Sequence, residues 1–115
     1  MKLAIVGSRS FTDYALLETE ALRLSPSEVV SGGASGADSL AEKFADSNGI
    51  DKRIFLPKFK TDSATKYHPR WYLKRNMEIV DYADHILAFS NGSKGTSHTI
   101  KYAMKQGKPV TLKPF

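Results

Sequence analysis

The chain has 115 residues, of which 41% are hydrophobic and 25% charged, a balance that suits one globular domain and excludes a disordered chain. It has no cysteine, which excludes disulfides, thiolate metal sites, iron–sulfur clusters and a cysteine nucleophile. The net charge is +5, but residues 52–75 carry eight cations (Lys52, Arg53, Lys58, Lys60, Lys66, Arg70, Lys74, Arg75) against the single acid Asp62, so the positive charge is concentrated there.

Residues 2–6 read as a short buried strand that ends at Gly7. Leu16, Leu17, Ala21 and Leu24 have helical spacing, which predicts a helix over 13–23 with Asp13 at its start and Ser25-Pro26-Ser27 at its end. Residues 28–31 form a second strand running into Gly32-Gly33. A helix over 36–48 follows, with Leu40, Phe44 and Ala45 on one stripe and Asn48-Gly49 as its stop. Residues 50–56 give a third strand, and 57–69 a long polar loop of the kind that serves as a lid or ligand loop. A helix over 70–82 is expected to bury Leu73, Met77 and Val80. Residues 85–89 are a fourth strand, 91–95 a turn, 96–106 a helix stopped by Gly107, and 109–112 a last strand.

Strict alternation of strand and helix implies an α/β fold: a Rossmann-like open parallel five-stranded sheet with helices on both faces. Strands covered on both faces should be continuously apolar. With strand order 3-2-1-4-5, the loops after strands one, two and four converge at the carboxyl edge of the sheet, where the order reverses and ligands bind. Those loops are Gly7-Ser8-Arg9, Ser31-Gly32-Gly33-Ala34-Ser35-Gly36-Ala37-Asp38 and Asn91-Gly92-Ser93-Lys94-Gly95-Thr96. Glycine lets backbone approach a phosphate, and helix N-termini present free N–H groups to it. Three such loops at one edge point to a phosphate-bearing ligand. Neither the P-loop pattern nor a G-x-G-x-x-G after the first strand is present.

These stretches, with Arg75-Asn76, Ala83-Asp84 and Gly95-Thr96, resemble the SLOG superfamily, the Rossmann-like group that includes YspA-type and YpsA-type proteins, lonely-guy phosphoribohydrolases and the DprA branch. The match is nearest to the small YspA-like branch and covers the whole chain as one domain, 1–115. The resemblance implies binding of a nucleotide or nucleotide-derived ligand, AMP or ADP-ribose-like, by a sensor, carrier or sequestering module. It also implies an alternative: a nucleoside-monophosphate N-glycosidic hydrolase. In the lonely-guy motif P-G-G-x-G-T-x-x-E the last position is a catalytic glutamate. Here it is Thr99, and no acid lies between Asp84 and Phe115, so a carboxylate for an oxocarbenium-like transition state would have to come from Asp38 or Glu42.

The ligand-binding residues expected are Gly7, Ser8, Arg9, Ser31, Gly32, Gly33, Ala34, Gly36, Asp38, Arg75, Asn76, Gly92, Gly95 and Thr96. Arg9 suits bidentate phosphate binding. Asp38, in the first turn of a helix, either complements the helix dipole or accepts from ribose hydroxyls. Asn76 bonds loop backbone or ligand, Arg75 reaches an anion, and Thr96 caps its helix or binds phosphate. His68, His85 and His98 have no metal-site spacing, so neither a metal nor a cofactor is expected. Tyr67, Trp71 and Tyr72 among the cations either stack bases or anchor the helix or a subunit interface. The basic segment leaves single-stranded nucleic acid as a second partner class. Self-association to a dimer or larger, a cytoplasmic location and no membrane span complete the expectations.

Overall fold

The computed structural model describes residues 1–58 and 69–115. The elements, in chain order, are β1 (Lys2–Gly7), α1 (Tyr14–Leu24), β2 (Glu28–Ser31), α2 (Ala37–Ser47), β3 (Asp51–Ile54), α3 (Pro69–Tyr82), β4 (His85–Ser90), α4 (Lys94–Lys105) and β5 (Val110–Pro114). All strand pairs are parallel, and the order is β3-β2-β1-β4-β5. The chain therefore folds as a Rossmann-like α/β sheet, with β1 and β4 side by side where the order reverses.

The two-residue period of β1 divides the core. Leu3 and Ile5 face one side, with Val29, Leu87 and Phe89, and meet Leu17 and Ala21 of α1 and Ala41, Phe44 and Ala45 of α2. Ala4 and Val6 face the other, with Val30, Ile86 and Ala88, and meet Ile79 and Val80 of α3 and Ala103 of α4. Each large aliphatic side chain buried this way contributes about 1.5–3 kcal/mol of transfer free energy. Phe11, in the loop after β1, stacks on Phe89 at 4.4 Å, so that loop is anchored to β4. Asp13 caps α1, its Oδ1 accepting from the Leu16 N–H at 3.1 Å.

Four expectations need correction. β3 is shorter than 50–56, and all four of its residues are exposed. It is an edge strand, and its Asp51, Lys52 and Arg53 side chains suit a strand that must not recruit another. The buried residues of α3 are Trp71, Arg75, Ile79 and Val80, whereas Leu73 is half-buried and Met77 exposed. The helix is rotated because Arg75 turns inward to reach backbone carbonyls, as shown below. α4 starts at Lys94, so Thr96 lies inside its first turn and Ser93 is the N-cap. The last strand is Val110–Pro114, and its half-exposed edge position tolerates the proline. Most of the loop expected at 57–69, with Lys60, Lys66, Tyr67 and His68, lies outside the described residues. Among the described residues no helix is long and apolar enough to cross a membrane.

Candidate functional site

A crevice of about 380 Å³ opens at the carboxyl edge of β1, between α3 and the starts of α2 and α4. That is the size of a small-molecule site, which runs from roughly 300 to 1,000 Å³. Of the residues expected there, Gly7, Ser8, Arg9, Ala34, Asp38, Arg75, Asn76, Gly95 and Thr96 line it. Val6, Tyr72, Ile79, Ser93 and Thr99 complete the wall. Spacing carried a signal for several of these: Tyr72, Arg75, Asn76 and Ile79 stand at i, i+3, i+4 and i+7, so one helix face presents all four. Thr96 and Thr99 share a face of α4 in the same way.

Ser31, Gly32, Gly33, Gly36 and Gly92 are outside the lining, and the first four lie in the loop that shapes it. The Ser31 hydroxyl is fully buried, accepting from the Gly33 N–H at 3.3 Å and donating to the Asp38 carbonyl at 3.5 Å. The Gly32 carbonyl accepts from Arg75 Nη1. A β-carbon on Gly32 would stand 2.7 Å from that nitrogen and 2.9 Å from Asp38 Oδ2, so any larger residue would have to push the guanidinium or the carboxylate aside. Gly36, with φ 72°, is the N-cap of α2, and a β-carbon there would run into the Arg9 backbone. Gly33 turns toward Ile54 and Leu56. Gly92, with φ 90°, sits in an open turn away from the crevice.

Arg75 is only 7% exposed. Its Nη1 also donates to the Phe55 carbonyl at 3.2 Å, and its Nε to Asn76 Oδ1 at 2.9 Å. One side chain on α3 thus ties the loop after β2 to the end of β3. Its bond to Asn76 leaves the Nδ2 donors of that amide for the crevice. Burial pushes the Arg75 guanidinium below its ordinary value, and the charge of Arg9 acts in the same direction. Burial raises the Asp38 carboxyl above the usual range, partly offset by the Ala34 N–H at 3.1 Å and by the charge of Arg75.

Arg9 is exposed and belongs to no ion pair among the described residues. Its guanidinium carbon lies 5.9 Å from the Tyr72 ring centroid. At the opposite wall, α4 begins without a side-chain cap, since the Ser93 hydroxyl donates to Thr96 Oγ1 at 2.9 Å rather than accepting from backbone. The first N–H groups of α4 have no acceptor within the helix. Thr99 Oγ1 donates to the Gly95 carbonyl at 3.0 Å. Ser8 joins a polar chain: its Oγ is 2.8 Å from Ser10 Oγ, which accepts from Asn91 Nδ2 at 3.3 Å.

No protein-family model matches the sequence, and no curated protein does. Solved structures do. The X-ray structure of DNA processing protein A (DprA) from Streptococcus pneumoniae superposes with a TM-score of 0.80 at 20% identity, over 96% of this chain and 49% of that one. The fold is DprA-like. The X-ray structure of TM1055, a structural genomics target, superposes with a TM-score of 0.66 at 21% identity, over 95% of this chain and 71% of that one. This chain spans about half the length of DprA, and at such identity the likeness establishes the fold.

On that DprA-like fold, the remaining candidates fall away from the crevice. His98 is half-buried, and its Nδ1 has no hydrogen-bond partner among the described residues. His85 Nε2 meets Thr111 Oγ1 at 2.8 Å and ties β4 to β5. Among the described residues no three His, Asp or Glu side chains gather as a metal site. Of the cations expected to form an anion-attracting segment, three have partners away from the crevice, and Lys60 and Lys66 lie outside the described residues. Lys52 pairs with Asp46 at 2.9 Å, Arg53 lies 4.9 Å from the Tyr82 ring centroid, and Arg70 lies 5.1 Å from that of Trp71.

Proposed function

We propose that this chain binds a nucleotide or a nucleotide-derived ligand, AMP or ADP-ribose-like, at the crevice, as a sensor, carrier or sequestering module. In this reading the chain has a DprA-like fold, and its loop residues resemble those of the YspA-like branch of the SLOG superfamily. The observation that carries the reading is an imbalance of charge and donors. Two guanidiniums, Arg9 and Arg75, share the crevice with one acid, Asp38, and face a helix start whose N–H groups are uncapped. A phosphate satisfies both features, since it accepts from the α4 start and is drawn by the guanidiniums. Asp38, which would repel phosphate, is suited to ribose hydroxyls.

The experiment is ligand-observed NMR with AMP, GMP, CMP, UMP, ADP-ribose and NAD. Line broadening for at least one nucleotide, lost in a folded Arg9→Ala variant, supports the reading. Silence from every ligand refutes it.

Asp38 gives a second reading some weight. A crevice carboxyl held above its usual range by burial is suited to protonating a leaving group. Hydrolysis of the N-glycosidic bond would release free base in the same NMR tube. Thr99, engaged with the Gly95 carbonyl where the motif glutamate would stand, supports binding over turnover. A third reading, single-stranded nucleic acid, draws on the exposed Lys58 and Lys74 beside α3. Its affinity would fall steeply with salt.

A further inference from the structure

The proposal rests on the nucleotide reading above and concerns which part of the ligand Arg9 and Tyr72 hold. These residues come from different elements of the crevice wall, Arg9 from the loop after β1 and Tyr72 from the first turn of α3. Their planar groups approach to 5.9 Å, within the ~6 Å range of cation–π attraction. No carboxylate among the described residues pairs with the guanidinium, which lies over the tyrosine ring instead.

We infer that Arg9 and Tyr72 form a stacking slot for a planar heteroaromatic base, with the phosphate at the start of α4. A base between two planar groups needs two layers of roughly 3.5 Å, or about 7 Å in all. The present separation is 5.9 Å, so the slot opens when Arg9 withdraws by about 1 Å. Arg9 is exposed, which leaves its side chain that freedom, while Tyr72 is half-buried on a helix and stays as the fixed wall. Val6 and Ile79 line the crevice as well and give the base an apolar floor. The guanidinium then has two separable properties: its charge adds to the field that draws the phosphate, and its plane contacts the base. Lysine would keep the first and lose the second. Every base has a π-face, so the slot accepts purines and pyrimidines alike and rejects a bare sugar phosphate.

The test is calorimetric titration of the full chain with AMP, GMP, CMP, UMP and ribose 5-phosphate. The parent is expected to bind at least one nucleotide about tenfold or more tighter than ribose 5-phosphate, the scale of a base–aromatic stack. Tyr72→Leu and Arg9→Lys each close most of that gap, because nucleotide binding falls further than ribose 5-phosphate binding does. Tyr72→Phe, which keeps the ring, preserves the gap. Equal weakening of nucleotide and sugar phosphate in Tyr72→Leu and Arg9→Lys overturns the slot. So does a parent that binds both equally, although it leaves the phosphate site standing. A parent that binds neither overturns the slot together with the nucleotide reading. Were Tyr72→Leu to unfold, Arg9→Lys and Tyr72→Phe would still decide the question.

Discussion

Gly95 sits in the first turn of α4, where a β-carbon would meet nothing within 4 Å. Aspartate there has room, leaves glycine's entropic cost behind and complements the positive end of the helix. Gly95→Asp should therefore leave the urea midpoint unchanged or raise stability by up to about 1 kcal/mol. It also places a carboxylate where the phosphate is proposed to sit, so nucleotide affinity should drop tenfold or more in the same protein. Loss of affinity with no loss of stability separates a ligand role for this turn from a structural one. Gly36→Ala should do the reverse. Its positive φ and the nearby Arg9 backbone leave no room for a methyl group, and the expected cost is about 3 kcal/mol in chemical unfolding. Asp38 has a pH signature. Its folded pKa lies above the unfolded 3.8, so the folded state holds this proton more tightly. Below 3.8 both states are protonated and the group contributes no difference. As pH rises through the raised folded pKa, the ionised carboxyl becomes a penalty. Asp38→Asn should then gain stability relative to the parent as pH rises through that interval, and the gain should fade toward acid. Urea titrations across pH read it.

At the level of elements, the strands, their order and the convergence of three loops were legible in the sequence. The alternation of short apolar runs with helical spacing leaves few topologies, and glycine marks the strand ends. The face of α3 was not legible. Hydrophobicity alone selects Leu73, Met77 and Val80, whereas the fold buries Val80 together with Trp71, Arg75 and Ile79. A buried cation is invisible to such a pattern because its partners, the carbonyls of Gly32 and Phe55, belong to backbone that any sequence carries. Tyr72 shares that helix face with Arg75 and Ile79, so rotating the pattern by one position would have found it. β3 was misjudged in length and burial alone, since the expected order already sets it at an edge, where a strand need not bury its side chains. β5 is the other edge, joined to β4 by its ladder and by the His85–Thr111 bond. Burial lowers the His85 imidazole below 6.5, so the folded state favours the neutral ring. Its contribution is present above 6.5 and is lost as pH falls through the lowered folded value. His85→Gln should flatten the stability profile over that interval, read by thermal unfolding at a series of pH values.

For the whole molecule, charge distribution separates the partner classes. A net +5 chain with its cations clustered draws any polyanion at low salt. A mononucleotide neutralises few charges, so its affinity should change little between low and moderate salt, while a strand lying along β3 and α3 should lose orders of magnitude. Titrations of AMP and a short oligonucleotide at two salt concentrations read the difference. Self-association, expected from the sequence, has candidate surfaces in the exposed Leu22, Met104 and Leu112. Light scattering at several protein concentrations tests it, and a monomer throughout would remove that expectation.

The Arg75 tie has a consequence for how the molecule opens. A four-residue strand at the rim of a sheet, exposed along its length, ordinarily frays by itself. Here the segment just beyond it shares a guanidinium with the loop after β2, and that guanidinium is rooted in α3. The amides of these three segments should therefore exchange with deuterium as one cooperative unit, at a common free energy. Arg75→Leu should break that unit into a fast-exchanging rim and a slow helix.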